Sequence, residues 1–474
     1  MKKNILITIV LIFIVLVAIG ANIGNENHFL NKYKKFFPEQ LKTTLKETIF
    51  VFQNQKTLKN IIEEKMKQKK KIKKQALLLS FNKLFFNKET NNISNIKIFK
   101  SGVTDVLAKR GYIQINGEIL YFVTGSGKIF QGEYLNNNET IILSDVRNNF
   151  LDVAGLDYFM EEQSIVNHFL IDQNNLYLSF TKKINSECYN SSIIVAKIDS
   201  NFLNFKNFFN SKQCFANFFN YSSGGRMDNL DKEHLILSIG DYDPYSDNEP
   251  FTQYDNDLRG KILKINKING KYEILSKGHR NSQGLFYDKL NSIIFSTDHG
   301  PRGGDEINIQ KTNNNKIENF GWPISSYGFH YDSESLNKIN IFQSTKVKKN
   351  KILIEEKYKR QPLYKSHSDK GFSEPIMVWN DPNVAPTQII SIYDDVRKEF
   401  HLYVASLGNL GKLHKSLHHL KFDKNFNLIE NENVKINERI RDIIFIKSIN
   451  SFVLYLEESS SLAFVKLDDK YKLN

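Results

Sequence analysis

From about residue 92 to the C-terminus, the chain is written in short β-type runs separated by turns of Gly, Asn, Asp and Ser. Runs at 118–123, 175–180, 192–198, 234–239, 261–265, 292–296, 401–406 and 451–456 are rich in Ile, Leu, Val, Phe and Tyr. Long amphipathic helices are missing from this stretch. Many short strands with turn signals between them restrict the fold to a sandwich, a barrel or a propeller. A single sandwich takes roughly 100 residues, too few for this body. Six blades of roughly 60 residues each accommodate it. The expected architecture is all-β, a six-bladed β-propeller over 92–474. In that geometry loops from successive blades converge on one face, so residues far apart in sequence can share a pocket.

The part before residue 92 reads differently. Met1-Lys2-Lys3 precedes an uncharged run whose apolar heart spans 5–19. Its length lies between a signal-peptide core and a full membrane span. We assign 1–25 as a signal anchor or signal peptide and expect a transmembrane helix. Residues 26–91 read as a helical, basic juxtamembrane stalk. Up to residue 75 this segment lacks glycine and is rich in Leu, Lys, Glu and Gln, with a basic block at 65–74 suited to anionic lipid headgroups. The lysines just after the apolar run oppose the positive-inside rule. The short basic start is the usual export layout, and export is the reading taken. The propeller is then expected outside the cytoplasm, in a bacterial periplasm, or secreted if the leader is cleaved. Cys188 and Cys214 form no Cys-x-x-Cys pair. In an exported protein they suit a disulfide closing a loop of about 26 residues and contributing about 3 kcal/mol; in the cytosol they would be small buried hydrophobes.

The net charge of +13 invites comparison with nucleic-acid binders. No zinc knuckle, RNA-recognition signature or helix-turn-helix pattern accompanies it, and no nucleic-acid partner is expected. The densest chemistry lies in Asp298-His299-Gly300-Pro301-Arg302-Gly303-Gly304-Asp305-Glu306, with Gly278-His279-Arg280-Asn281-Ser282-Gln283-Gly284 upstream and Trp322-Pro323 downstream. Such a loop exposes carbonyls and carboxylates together, the oxygen-rich setting a hard cation such as calcium prefers.

These segments, with Gly224-Gly225-Arg226, Leu258-Arg259-Gly260-Lys261, Val384-Ala385-Pro386 and Arg439-Ile440-Arg441-Asp442, resemble the glucose/sorbosone dehydrogenase family, which includes soluble PQQ-dependent glucose dehydrogenases and aldose sugar dehydrogenases. The resemblance implies a six-bladed propeller holding pyrroloquinoline quinone (PQQ) and calcium. It also implies oxidation of a sugar or alcohol, with electrons passed to a quinone pool or a soluble carrier. By this resemblance Arg280, Asn281, Gln283, Arg439 and Arg441 bind the cofactor. A planar guanidinium and side-chain amides suit a flat tricarboxylate. Gly300 and Pro301, with Asp305 close by, are the metal candidates.

Two positions depart from the family. Its catalytic histidine falls on Ser222, and an unassisted serine hydroxyl is no base near neutral pH. Its cofactor-binding lysine falls on Gly408, with Lys412 nearby. The alternative is therefore a non-catalytic propeller that binds a carbohydrate or protein partner. Each candidate also has a plainer role. His279 and His299 are structural or cofactor-adjacent by the resemblance, Arg439 and Arg441 suit propeller ion pairs, and Asp305-Glu306 suits a loop clamp. His414, His418 and His419 lack a matching acidic or thiol ligand, and the acidic run 241–247 lacks EF-hand spacing.

Overall fold

The computed structural model describes residues 110–467 apart from 135–139, 155–164, 186–187, 199–201, 216–221, 243–249, 302, 315, 329–366, 380–383 and 409–414. It also gives the backbone of the strands Leu78–Phe85 and Ile93–Ser101. The expected anchor at 1–25 and nearly all of the expected stalk lie outside these residues. Among the described residues no helix is long and apolar enough to cross a membrane.

The described strands form six antiparallel blades of four. Blade 1 comprises Gly111–Asn116, Ile119–Thr124, Ile129–Glu133 and Thr140–Asp145; blade 2 comprises Val166–Asp172, Asn175–Asn185, Cys188–Lys197 and Lys206–Asn210. Blade 3 runs through Gly224–Asn229, His234–Ile239, Lys261–Asn266 and Tyr272–Lys277. Blade 4 is built from Ser282–Asp288, Ile293–Asp298, Asp305–Lys311 and Met377–Trp379, and blade 5 from Pro386–Asp394, Glu399–Ser406, Ser416–Asp423 and Leu428–Lys435. Blade 6 has Ile440–Ile446, Ser451–Leu456 and Ser461–Leu467, and takes its fourth strand from Ile93–Ser101. The ring is thereby closed by pairing a strand from early in the chain with the last one. Leu78–Phe85 pairs with both Ile93–Ser101 and Thr140–Asp145, joining blades 6 and 1 at their rims. The boundary expected at residue 92 thus falls within this sheet, and the end of the expected helical stalk is a strand.

The apolar residues divide into clusters that follow the blade interfaces. Phe169 and Val166 meet Tyr112 and Val123 between blades 2 and 1; Leu454 and Ile443 meet Ile390 and Tyr403 between blades 6 and 5. Such face-to-face packing of twisted sheets supplies the hydrophobic stabilisation of the ring. The junction of blades 3 and 4 is the exception. Its cluster has four buried residues, Ile236, Ile262, Leu285 and Ile294. Polar bonds supplement them: Tyr287 N donates to Asp228 Oδ2 at 2.7 Å and Ser238 Oγ to the Ser282 carbonyl at 3.0 Å. Burial pushes the Asp228 carboxyl up to about 6. The candidate site lies beside this polar seam.

Cys188 and Cys214 form a disulfide with a Cα–Cα distance of 4.7 Å. It ties blade 2 to Phe215, whose backbone pairs with Tyr189 a few residues before Ser222.

Blade 5 buries a histidine pair whose rings stack, with His401 Nδ1 3.0 Å from His419 Nε2. Burial, then neighbouring positive charge, pushes His401 down to about 4 and His419 down to about 3. The folded chain therefore binds fewer protons here than the unfolded chain, whose histidines titrate near 6.5. Stability from this pair is complete above about pH 6.5 and is lost as pH falls towards 4. We expect the unfolding midpoint in urea to drop over that window, and the drop to shrink in His401→Phe/His419→Leu; an unchanged slope in the double variant would assign the acid sensitivity elsewhere.

Candidate active site

Five of the six innermost strands slip register near their first residues. The slips pass over Asn167, Gly225 and Arg226, Gln283, Thr387 and Gln388, and Arg441. A bulge re-aims side chains and is frequent beside functional sites. Here the slips link around the ring. Ser223 Oγ donates to Asn167 Oδ1 at 3.0 Å, Arg226 Nε to the Gln283 carbonyl at 3.0 Å, and Thr387 Oγ1 to the Ile440 carbonyl at 2.9 Å. Arg226 and Asp442 form an ion pair of 2.7 Å with both side chains almost wholly buried. Asp442 Oδ2 also accepts the Ile113 N–H at 2.9 Å, so one carboxylate joins blades 6, 3 and 1.

The Gly278–Gly284 motif leads into blade 4 and spans the polar seam. Arg280 Nη1 donates to the carbonyls of His299 and Gly300 at 3.0 and 2.9 Å, and its guanidinium lies 5.4 Å from the Trp322 ring centre. Asn281 Oδ1 accepts the Gly224 N–H at 3.2 Å and Gln283 Nε2 at 2.8 Å. His299 Nε2 donates to the Pro386 carbonyl at 2.7 Å, which fixes its neutral tautomer. Burial, then the charges of Arg280 and Arg441, hold His299 down at about 4. Asp298 opposes these two arginines at the His299 ring.

Arg439 and Arg441 alternate at the start of blade 6 and share Glu457. Arg439 Nε is 3.2 Å from Glu457 Oε1, and Arg441 Nε donates to Oε2. Burial alone would raise the Glu457 carboxyl, but Arg441, Arg439 and Arg110 outweigh it and hold it below the usual range. Arg226 pairs with Asp442, and Arg439 and Arg441 pair with Glu457, while Arg280 bonds the His299 and Gly300 carbonyls.

Asp305 acts as a loop clamp. Its Oδ1 accepts the Gly300 N–H at 2.9 Å, and its Oδ2 accepts the N–H groups of Val384 and Ala385 at 2.8 Å each. The Gly300 carbonyl, a metal candidate, accepts from Arg280. Among the described residues no group of three or more His, Cys, Asp or Glu has metal-binding geometry. His279 is engaged at both nitrogens, by Asp298 Oδ2 and Ser276 Oγ at 2.8 Å each. Ser222 is 1% exposed and donates to Asp241 Oδ1; Trp322 Nε1 reaches the other oxygen at 2.9 Å. A serine held this way is a structural donor rather than a base.

Of the remaining expectations, Gly408 is turned into the loop by its N–H bond to the Val384 carbonyl at 2.9 Å. Lys412, His414 and most of the acidic run 241–247 lie outside the described residues. Glu457 and Asp442 were not assigned roles from the sequence. A lone glutamate after a strand carries no spacing signal, and the Asp442 partner is 216 residues away.

This is a six-bladed propeller that brings Arg280, Asn281 and Gln283 together with the Gly300–Asp305 loop. Residues 164–350 match the family model for Glucose / Sorbosone dehydrogenase. Aldose sugar dehydrogenase YliI of Escherichia coli is 31% identical over 121 residues, 23% of this chain and 30% of that protein. An uncharacterized protein of Synechocystis sp. is 27% identical over 243 residues, 46% of this chain and 50% of that protein. The chain thus spans half or less of the curated relatives it matches. Among solved structures, the apo soluble aldose sugar dehydrogenase of Escherichia coli superposes with a TM-score of 0.53 at 16% identity, covering 79% of this chain and 100% of that one. The holo PQQ domain of pyranose dehydrogenase from Coprinopsis cinerea gives 0.52 at 10% identity, covering 80% and 98%. At such identities these two show the fold. The likeness to the glucose/sorbosone dehydrogenase family thus rests on residues 164–350 and on the 121 residues shared with the aldose sugar dehydrogenase.

Proposed function

We propose that the propeller is a quinoprotein-type dehydrogenase domain that oxidises a sugar or alcohol with PQQ. The observation that carries this is geometric: Arg280 lies on the His299 and Gly300 carbonyls, Asn281 and Gln283 bond each other beside it, and Arg439 and Arg441 are held together by Glu457. Guanidinium charge with adjacent amides fits a planar tricarboxylate. Arg280, Asn281, Gln283, Arg439 and Arg441 would hold it, with the Glu457 bonds of the last two keeping their side chains in place. A calcium ion at the Gly300 and Pro301 carbonyls would act as a Lewis acid towards the quinone. Since Arg280 now bonds the Gly300 carbonyl, calcium would have to displace that contact. Asp305 supports the loop from behind.

Export is supported by the Cys188–Cys214 disulfide, because such bonds persist in oxidising compartments. Residues 1–25 would then be the leader or anchor, and electrons would leave to a membrane quinone pool or a soluble carrier. Ser222 favours a second reading, a propeller that binds a sugar or protein partner without oxidising it.

The test is reconstitution of the full chain with PQQ and calcium, following cofactor absorbance, thermal stabilisation and dye reduction with a panel of aldoses. A ligand that binds the folded state raises its apparent stability. Stabilisation with turnover is the expected result. Stabilisation without turnover selects the binding reading, and no effect on either overturns the quinoprotein assignment.

A further inference from the structure

Among the described residues, the three most exposed large apolar side chains are Val396, Ile268 and Leu290, at 93%, 84% and 74%. Each sits in a short turn between two strands of one blade. Ile268 lies between Lys261–Asn266 and Tyr272–Lys277, Leu290 between Ser282–Asp288 and Ile293–Asp298, and Val396 between Pro386–Asp394 and Glu399–Ser406. The blades concerned, 3, 4 and 5, are consecutive. Their innermost strands start at the register slips of the candidate site, so the turn after each of those strands lies at the far end of the blade. Antiparallel order puts the turn between the third and fourth strands at that end too. All three tips therefore leave the ring on the side away from the Gly300–Asp305 loop, which leads from the second strand of blade 4 into its third. Tyr272, Leu428 and Ile429, also exposed, begin the fourth strands of blades 3 and 5 at the same end. Exposed apolar residues scattered singly are ordinary, whereas a set gathered at one end of neighbouring blades marks a contact surface.

The charges beside these tips indicate what the contact is. Lys271, Lys289 and Lys424 are exposed on the same turns. Most of the acids there are tied down. Asp394 Oδ1 accepts the N–H groups of Val396 and Arg397 at 2.9 and 3.0 Å, and Asp423 Oδ1 accepts those of Asn425 and Asn427 at 2.8 Å each. Asp231 Oδ1 accepts those of Glu233 and His234 at 2.7 Å each. Asp395 and Glu273 are in ion pairs with Lys398 and Lys264, and Glu233 stands exposed. Aliphatic tips flanked by lysines suit an anionic lipid interface, where the side chains enter the headgroup layer and the ammonium groups meet phosphates. A planar surface also reaches tips on separate blades at once.

We propose that the far end of blades 3–5 docks on an anionic phospholipid bilayer through Ile268, Leu290 and Val396, with Lys271, Lys289 and Lys424 on the headgroups. The inference does not depend on the dehydrogenase reading. Docked in this way, the propeller holds the Gly300–Asp305 loop away from the lipid and open to a water-soluble ligand.

The apolar run at 5–19 would bring every version of the full chain to lipid alike, so the position of the propeller is read, not binding. The chain's own cysteines are joined to each other, which leaves an introduced one for an environment-sensitive fluorophore. Leu290→Cys and Val396→Cys label the far end, and Tyr254→Cys, in the loop between the second and third strands of blade 3, labels the site end. With vesicles of phosphatidylcholine and phosphatidylglycerol, the labels at 290 and 396 should shift to the blue and the label at 254 should not. Phosphatidylcholine alone should give no shift. Salt at about 1 M should reverse it, because the screening length falls to about 3 Å. Lys271→Glu/Lys289→Glu should lower the ratio of docked to undocked label at 396 on the order of thirtyfold. Equal shifts at 254 and 290, or equal shifts with both lipid mixtures, overturn the proposal. A shift at 290 that needs no lipid and grows with protein concentration also overturns it, and assigns the face to a second copy of the chain.

Discussion

Replacing Asp442 by alanine is expected to destabilise the propeller by about 3–5 kcal/mol, the cost of breaking a buried ion pair from one side. Asp442 is 1% exposed and accepts from Arg226 Nη1 at 2.7 Å, Ile113 N at 2.9 Å and Ile443 N at 3.1 Å. Burial pushes its carboxyl up, and the Arg226 charge is the first influence pulling it back. Alanine leaves a 2%-exposed guanidinium without its counter-charge and strips the Ile113 N–H of its acceptor. The three partners come from blades 3, 1 and 6, so the loss reaches across the channel instead of staying within one sheet. Urea unfolding of Asp442→Ala against the wild type measures it. Asp442→Asn keeps an acceptor for Ile113 and should lose less. A change under about 1 kcal/mol in the alanine variant would mean that Arg226 relaxes to solvent through the channel, and that the ring does not depend on this pair.

The same residues explain how much of the fold was legible. The second strands of the blades could be read from sequence: His234–Ile239 and Ser451–Leu456 fall where the apolar runs put them, and Asn175–Asn185 and Glu399–Ser406 extend theirs. A strand with a blade on either side is buried on both faces, so it reads as an unbroken apolar run. The innermost strands were not legible in this way. Gly224–Asn229 is Gly-Gly-Arg-Met-Asp-Asn, and Ser282–Asp288 begins Ser-Gln-Gly. Their polar side chains and register slips serve the channel, and that erases the alternation expected of a strand. The propeller's start was missed for another reason: Leu78–Phe85 has the same mixed Leu, Phe and Lys content as the segment before it, and its strand character comes from pairing with Thr140–Asp145. At the site, the motif residues Arg280, Asn281, Gln283, Gly300 and Asp305 do come together. Their bonding partners, Glu457 for Arg441 and the two carbonyls for Arg280, belong to tertiary structure and left no trace in spacing.

Those partners give Arg280→Ala an unusual expected result, two effects of opposite sign. Arg280 places a full charge at the channel mouth, and its Nη1 bonds the His299 and Gly300 carbonyls. A hydrogen bond to a charged group contributes about 1.5–3 kcal/mol. Losing such a bond to a PQQ carboxylate should weaken binding by about ten- to a hundredfold. The Gly300 carbonyl, by contrast, gives up a cation that competes with calcium for the same oxygen. Calcium alone should therefore bind more tightly to Arg280→Ala than to the wild type, while PQQ binds less tightly. The histidine beside it provides a third, ligand-free readout. Arg280 is one of the charges holding His299 down at about 4, so its removal should raise that value towards 6.5, while burial and Arg441 keep it from arriving. Calorimetric titrations with calcium and with PQQ, and a proton NMR titration of His299, separate the three effects. If calcium binding weakens with PQQ binding, Gly300 is not a metal ligand and Arg280 supports the loop as a whole. If PQQ binding is unchanged while His299 still shifts, the arginine sets the local field without touching the cofactor, and the anion must be held from the Arg439–Arg441 side of the channel.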